Sequence, residues 1–510
     1  MKNLSVPDAS LLGILAFMPL VMTNGYFNIT VTKMVFFSVI SIFTFIFCLI
    51  KMNTGSARLY NEKISSPDIS MGLFLLCAFI SVLISDYRIE AILGNHGRFM
   101  GMIYVIALFC AYVFITRFTV FKKQFVITFV VCFVLVCLIA VVQYIGFDVF
   151  YLLREVKENT RVNYISTIGN INVFSSFVCL GLPVAMYLFC FHRRKKERIC
   201  YFTVSVLGFY SLVISNTDSG YLGIIGAFVI LGTLSAKIKN SLSRLFVLGA
   251  VFIFTIRLAV VIDKLLPYEA RELSDIAVHA AESTAVMICA VVLVVIAVIL
   301  RLVNLEIKHS TPMKIFFIAI PLICGFALAG AIVWFSFFDR NTNLGAFGNY
   351  LRFGDLWGSE RGHVWRITTE AYRELPLIKK LFGSGPDTLL PLLMKDHEQQ
   401  MLQTGALTDN AHNEFLQYLV THGVAGLGCY AATVFFSLKK CFYKSPYDFY
   451  RKSLAVAVFA YCVQSFFNIS QPITTPIYFC LMFMTFTQDR DILNSKNNKK
   501  AKGERYEKVS

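Results

Sequence analysis

Charge is the scarcest ingredient of this sequence: 15% of its 510 residues are Asp, Glu, Lys or Arg, while 57% are hydrophobic and the mean hydropathy is +0.66. A chain so short of polar surface cannot wrap its apolar side chains in a water-facing shell, which excludes a soluble enzyme of this length. Paired cysteine motifs are absent. The fourteen Cys fall in apolar runs or basic loops with no CxxC among them, so neither a disulfide framework nor a zinc site is expected. There is also no Walker loop, no HExxH, no GxSxG and no stretch like a nucleotide-binding domain, which leaves ATP- or NAD-driven chemistry without a seat. His363, His397 and His412 are not spaced as metal ligands. Chemistry carried by this chain is therefore expected to use no cofactor, and to start from an already activated substrate.

What the sequence has in abundance is long apolar runs. Fourteen recur between about residues 9–22 and 474–487, each near the roughly 20 residues that a membrane-crossing helix needs. The predicted fold class is all-α: a polytopic integral membrane helical bundle of about 12 to 14 transmembrane helices with one long, partly helical outer loop. The first run has one Lys before it and no small-residue cleavage site after it, so it reads as a retained helix. Lys and Arg dominate over Asp and Glu, 47 to 31, and their placement is uneven. Alternate connections and the tail collect thirty of them, including Arg58, Lys308 and Lys444, whereas the opposite loops hold seven, including Arg271. The positive-inside rule then places both termini in the cytoplasm of a multi-pass protein. The expected divisions are N-terminal transmembrane helices at 1–160, central ones at 161–337, the extracytoplasmic loop with an amphipathic helix at 338–413, C-terminal helices at 414–487, and a basic cytoplasmic tail at 488–510. No repeat of fixed period is visible.

Two stretches of the long loop carry the chemistry. The first, TDNAHNEFLQYLVTHGVAGLG at 408–428, offers Asp409 or Asn410 as helix cap and places His412 in the first turn of the twelfth span. A helix N-terminus disfavours imidazolium and favours a bound anion, so a neutral His412 can act as base toward an acceptor hydroxyl beside a phosphate; it can equally be a plain cap at headgroup level. Asn413 and Gln417 share a face one turn apart, to bind a sugar, orient His412, or simply face the bundle interior.

The second stretch, GSERGHVWRITTEAYREL at 358–375, repeats Val364, Ile367, Ala371 and Leu375 at helical spacing and ends at Pro376. It predicts an amphipathic surface helix with Arg361 in its first turn. A guanidinium there can grip a diphosphate bidentately and offset charge developing on a leaving group, or bind a lipid headgroup. Gly383, Gly385 and Pro386 predict a tight turn presenting Asp387. Three sites are more open in meaning. Arg257 lies inside a span at a cost of about 2.5–3.5 kcal/mol, either snorkelling or meeting a ligand phosphate. Arg98 in GNHGR sits at a span mouth, for positioning or for lipid phosphate. GNIN at 169–172 reads as a cap or a polar patch.

SERGHVW at 359–365, LFGSGPDTL at 381–389 and above all AHNEFLQYLVTHGVAGL at 411–427 resemble, in order and in setting, the O-antigen ligase and O-antigen polymerase superfamily, with IGNINVFSSFVCLGLP at 168–183 and GNHGR as weaker support. The resemblance covers roughly residues 160–440. It implies a GT-C-like membrane glycosyltransferase that moves a glycan from an undecaprenyl diphosphate carrier to a lipid, glycan or protein acceptor on the outer face of the bacterial cytoplasmic membrane, without nucleotide or metal and among membrane lipids rather than nucleic acid. By resemblance His412 is catalytic and Arg361 helps hold the diphosphate, with Asn413, Gln417, Asp387, Arg257 and Arg98 as substrate-binding candidates. The family's frequent Ser-Arg pair at the start of a central span is missing from SNTDSGYLG at 215–223, which leaves Arg257 or Arg98 to compensate. A repeat-unit polymerase of the same superfamily, or a lipid-linked glycan flippase or transporter, are the competing expectations.

Overall fold

The computed structural model describes residues 4–56, 59–61, 63–266, 273–303, 311–402, 408–442 and 449–489. The basic tail from residue 490 on, Lys2, Arg58, Arg271, Lys308, Lys444 and residues 403–407 of the long loop lie outside the described residues. The first half of the chain forms α1 (Val6–Phe17), α2 (Ile29–Asn53), α3 (Ser66–Leu83), α4 (Arg88–Leu93), α5 (Met102–Phe118), α6 (Lys123–Tyr144), α7 (Ile171–Phe191), α8 (Lys195–Ile214), α9 (Asp218–Ser235) and α10 (Lys239–Leu265). The second half forms α11 (Asp275–Glu282), α12 (Thr284–Leu302), α13 (Thr311–Val333), α14 (Gly348–Leu351), α15 (Trp357–Glu374), α16 (Leu377–Phe382), α17 (Leu389–Asp396), α18 (Glu398–Leu402), α19 (Glu414–Phe442), α20 (Phe449–Ser465) and α21 (Thr475–Met484). The described strands are two-residue pairs: Val120–Phe121 with Gln488–Asp489 in parallel, and Tyr164–Ile165 with Gly169–Asn170 antiparallel.

The protein is an all-α multi-pass membrane protein. Among the described residues, ten helices are long and apolar enough to cross a bilayer: α2, α3, α6 to α10, α12, α13 extended to Phe338, and α19. The four other apolar runs form α1, α5, α20 and α21, of 12, 17, 17 and 10 residues. At 1.5 Å per residue, α1 and α21 reach only about 18 and 15 Å, short of a ~30 Å hydrocarbon core.

Burial separates a centre from a periphery. Every residue of α21 is buried, and 94% of the apolar window of α7 is inside the protein. The window of α12 is 11% buried and that of α13 not at all, so their apolar side chains face lipid, as membrane helices permit. Close approach inside the centre relies on glycine: a Cβ on Gly223 of α9 would sit 2.9 Å from the Ala460 carbonyl of α20, and one on Gly181 of α7 2.1 Å from the Phe133 ring of α6. Lys33 of α2 is wholly buried and donates to the Pro19 and Thr167 carbonyls at 2.8 and 2.6 Å, tying α1 and α2 to the segment before α7. Asn170 caps α7 by accepting from the Asn172 N–H at 2.9 Å, the capping alternative for GNIN.

One break in a long helix shapes the rest. Gly423 in α19 adopts φ 70°, ψ 179°, which only glycine tolerates, and interrupts the hydrogen-bond ladder. The freed carbonyls find partners elsewhere: Val420 accepts from Ser384 N–H at 2.9 Å, and Thr421 from Gly385 N–H at 3.2 Å and Ser81 Oγ at 2.9 Å. The Gly383–Gly385 turn is thereby docked backbone to backbone on α19. A Cβ on Gly383 would lie 2.2 Å from the Thr421 carbonyl, and one on Gly423 2.2 Å from the Leu381 carbonyl. As expected, Val364, Ile367, Ala371 and Leu375 form the buried stripe of α15, and Ile367, Ala371 and Leu375 pack with Leu389, Leu393, Ala411 and Val420 under the long loop.

Candidate active site

The docked turn carries Asp387, but the carboxylate does not face outward for a ligand. It is buried, with a left-handed backbone at φ 59°, and accepts the Asn95 and Met100 N–H groups at 2.8 and 3.0 Å and Arg98 Nε at 2.9 Å. This corrects the expectation of Asp387 as a substrate-binding group: GNHGR wraps around it. Burial pushes the Asp387 carboxyl up while the guanidinium and the two N–H donors pull it down. Arg98 is 1% exposed and spends Nη2 on the Ser470 carbonyl at 2.9 Å, in the turn between α20 and α21. It is no lipid-phosphate anchor; the positioning alternative stands. Its Nη1, though, is buried and makes no hydrogen bond.

Next to Arg98 lies the AHN segment. Asn410 Oδ1 accepts the His412 N–H at 3.0 Å, and His412 turns left-handed at φ 47°. Asn413 is the cap of α19, its Oδ1 taking the Phe415 and Leu416 N–H groups at 3.0 Å each. The cap is thus Asn413 rather than Asp409 or Asn410, and His412 precedes the helix instead of standing in its first turn. Gln417 Oε1 accepts the Ala411 N–H at 2.9 Å, so both expected sugar-binding amides commit their oxygens to shaping the turn that holds His412. Arg98, His412, Glu414, Gln417, Asn468 and Ser470 share one small cleft. Burial, then the fields of Arg361 and Arg98, pull the half-buried His412 imidazole down to about 4, against the opposing pull of Asp409. Glu414, two residues on, is buried with Oε1 accepting the Tyr430 hydroxyl at 3.1 Å and Oε2 without a partner.

Arg361 occupies different surroundings. Gly358, Ser359 and Glu360 are left-handed, so the regular turns of α15 begin at Arg361. Its Nη1 donates to the Gly358 carbonyl at 2.5 Å, while Nε is buried without a partner. Burial pulls the guanidinium down, offset by Asp218 and Tyr350. The kink brings Trp357 against Trp365, with ring centroids 5.3 Å apart, and Trp365 stacks on Phe467 at 5.7 Å. Arg257 is elsewhere: it is exposed on α10 and donates to the Ala281 carbonyl of α11 at 3.0 Å. That hydrogen bond joins α10 to α11, away from the turn that holds His412.

Residues 273–431 match the family model described as O-antigen ligase. This match places an O-antigen ligase segment in the second half of the chain. No curated protein matches it. The matched O-antigen ligase segment holds Arg361, Asp387, His412, Asn413 and Gln417, whereas Arg98 and Asp218 reach the same end of the bundle from outside it. Reading the sequence missed Asp218, Tyr350, Glu414 and Ser470. An acid at a span mouth, as Asp218 is within SNTDSGYLG, was the one available signal; the others are placed only by packing. Among the described residues no group of three or more His, Cys, Asp or Glu is gathered where a metal ion could be held. What this end of the bundle does gather is a neutral imidazole in the field of two guanidiniums, Arg98 tied to Asp387 and the Ser470 carbonyl and Arg361 bonded to the Gly358 carbonyl with Nε unused. That set can take a proton from a hydroxyl and receive a multiply charged anion beside it.

Proposed function

We propose that the protein is a membrane glycan ligase, which transfers an oligo- or polysaccharide from an undecaprenyl diphosphate carrier to an acceptor on the outer face of the bacterial cytoplasmic membrane. The match of residues 273–431 to the O-antigen ligase family supports the reaction class, and the basic loops support a topology with both termini cytoplasmic and the site on the extracytoplasmic side. The observation that carries the reading is His412, kept neutral by burial and by Arg361 and Arg98. A neutral imidazole accepts the proton of the acceptor hydroxyl as its oxygen bonds to the sugar C1. The C1–O bond to the diphosphate breaks, its electron pair leaves with the carrier, and Arg361 meets the charge that develops. The donor is already activated by its diphosphate, so the reaction as proposed draws on neither nucleotide nor metal. Asn413 and Gln417 act as positioning residues for His412, while Arg98 and Asp387 hold the floor of the site.

The test is release of undecaprenyl diphosphate by purified protein given carrier-linked glycan and lipid extract from its own host, wild type against His412→Ala. Release that depends on His412 is the expected result, and the mass of the product then distinguishes transfer to a foreign acceptor from extension of a second carrier-linked repeat unit by a polymerase. Absence of release from folded wild-type protein would overturn the ligase in favour of a transporter.

A further inference from the structure

Asp218 opens α9 and, with Tyr350, supplies the field that offsets the burial of Arg361. Its Oδ2 accepts the Tyr350 hydroxyl at 2.8 Å, and Trp357 Nε1 donates to the Tyr350 carbonyl at 2.8 Å, so the phenol is anchored by the helix that carries Arg361. The other oxygen, Oδ1, is buried and accepts nothing; Arg361 Nε is buried and donates to nothing. Opposite charges in such surroundings ordinarily collapse into a hydrogen-bonded pair, yet no ion pair joins these two among the described residues. Two restraints hold them apart: the Tyr350 hydroxyl on the carboxylate and the Gly358 carbonyl on the guanidinium.

We propose that Asp218, restrained by Tyr350, is the specificity-determining counter-charge of the diphosphate site, weakening the hold of Arg361 on the spent carrier more than on the donor. The inference rests on the assignment of the diphosphate to Arg361. Its logic is the charge balance of the transfer. The donor diphosphate is esterified at both ends; breaking the C1–O bond leaves a carrier diphosphate esterified at one end only, with an additional ionisable oxygen. A fixed carboxylate beside Arg361 therefore repels product more strongly than donor, and speeds release of the product. Asp218 touches neither sugar nor acceptor in this scheme and works through Arg361.

The experiment uses full-length protein in detergent and measures binding of inorganic pyrophosphate and of polyprenyl diphosphate, with KM and kcat for carrier-linked glycan. For Asp218→Asn, product affinity is expected to rise on the order of tenfold, KM to fall less, and kcat to drop as release slows. Tyr350→Phe is expected to act in the opposite sense, because the unrestrained carboxylate can swing onto Arg361 and block it, weakening pyrophosphate binding. Opposite signs in two variants that remove one hydrogen bond between them are not what a merely structural pair would give. Unchanged or weaker product binding by Asp218→Asn, or shifts of the same sign in both variants, overturns the inference. Arg361→Ala separates the two levels: if it binds pyrophosphate like wild type, the assignment of Arg361 fails; if it loses binding while Asp218→Asn is silent, only the counter-charge fails.

Discussion

Arg98 and Arg361 both project their fields onto His412, but the protein surrounds them in opposite ways. Arg98 is sealed at the end of GNHGR, with Nε on Asp387 and Nη2 on the Ser470 carbonyl. Arg361 stands at the start of a kinked helix with one bond to a nearby carbonyl and Nε unused. The first joins segments nearly 300 and more than 370 residues apart in sequence; the second joins almost nothing. A buried ion pair holds a fold together because losing one partner strands the other, whereas a guanidinium tied by a single hydrogen bond has N–H groups available to an anion. Sequence reading offered Arg361 to a diphosphate or a headgroup and left Arg98 between positioning and lipid phosphate, and packing separates them.

The largest expected effect tests the structural member of that comparison. Arg98→Ala or Asp387→Ala strands a buried charge at a cost of about 3–5 kcal/mol. Thermal unfolding in detergent should show a large loss of stability for either, and much less than the sum for the two combined. A double variant as unstable as the two losses added would mean that they are not one unit.

Arg361→Ala should reverse the pattern. Stability should change far less than for Arg98, since Arg361 gives up one hydrogen bond to the Gly358 carbonyl, worth about 0.5–1.5 kcal/mol, while transfer falls by about 10²–10³, the scale for removing a donor aimed at developing charge. Activity and melting temperature measured on one preparation decide it, since a parallel fall in both would make Arg361 another Arg98.

Acidity sharpens the comparison through the group both arginines act on. The imidazole of His412 sits near 4, below its ordinary 6.5, so it stays neutral and able to accept a proton until the pH falls through about 4. The unfolded chain binds that proton from about pH 6.5 downward; hence the contribution of neutral His412 to stability is present above that range and is lost as the pH falls through it. The pH profile of kcat/KM reports the donor-free protein, so its acid limb should lie near 4. Binding of a diphosphate at Arg361 offsets the positive field that this guanidinium casts on His412, and the acid limb of kcat should lie higher. Coincident limbs would place the diphosphate away from Arg361.

How much of this was legible beforehand follows from the range over which each feature is encoded. Helices announce themselves in 20-residue windows, so the stripe of α15 and its end before Pro376 are where the sequence puts them and the fourteen apolar runs fall on helices, although α1, α5, α20 and α21 are shorter than the spans expected of them. Arg361 and His412 stand out as candidates in the sequence because short motifs carry them. The role of Asp387 was not readable, because its partners lie near residue 98, and a Gly-Ser-Gly-Pro turn looks the same whether its acid points out or in. Asp218 escaped for the same reason: nothing local links residue 218 to residues 350 and 361, which the fold brings together from three separate elements.

The cap of α19 shows the smallest effect and the finest limit of local signals. Asp409, Asn410 and Asn413 are all good cap residues within five positions, and propensity alone does not rank them. Tertiary contact does: Gln417 reaches back to the Ala411 N–H and Asn410 to the His412 N–H, which folds 410–412 into a turn and leaves Asn413 at the helix start. Asn413→Ala should then cost about 0.5–2 kcal/mol, while Asp409→Ala leaves the helix intact. Because the same turn fixes the left-handed backbone of His412, Asn413→Ala should lower kcat more than it raises KM, as a displaced base would. Asn413→Asp, which keeps the capping oxygen, should restore stability and most of the rate; if it restores stability alone, the Asn413 amide N–H contributes to transfer directly and the residue is more than a cap.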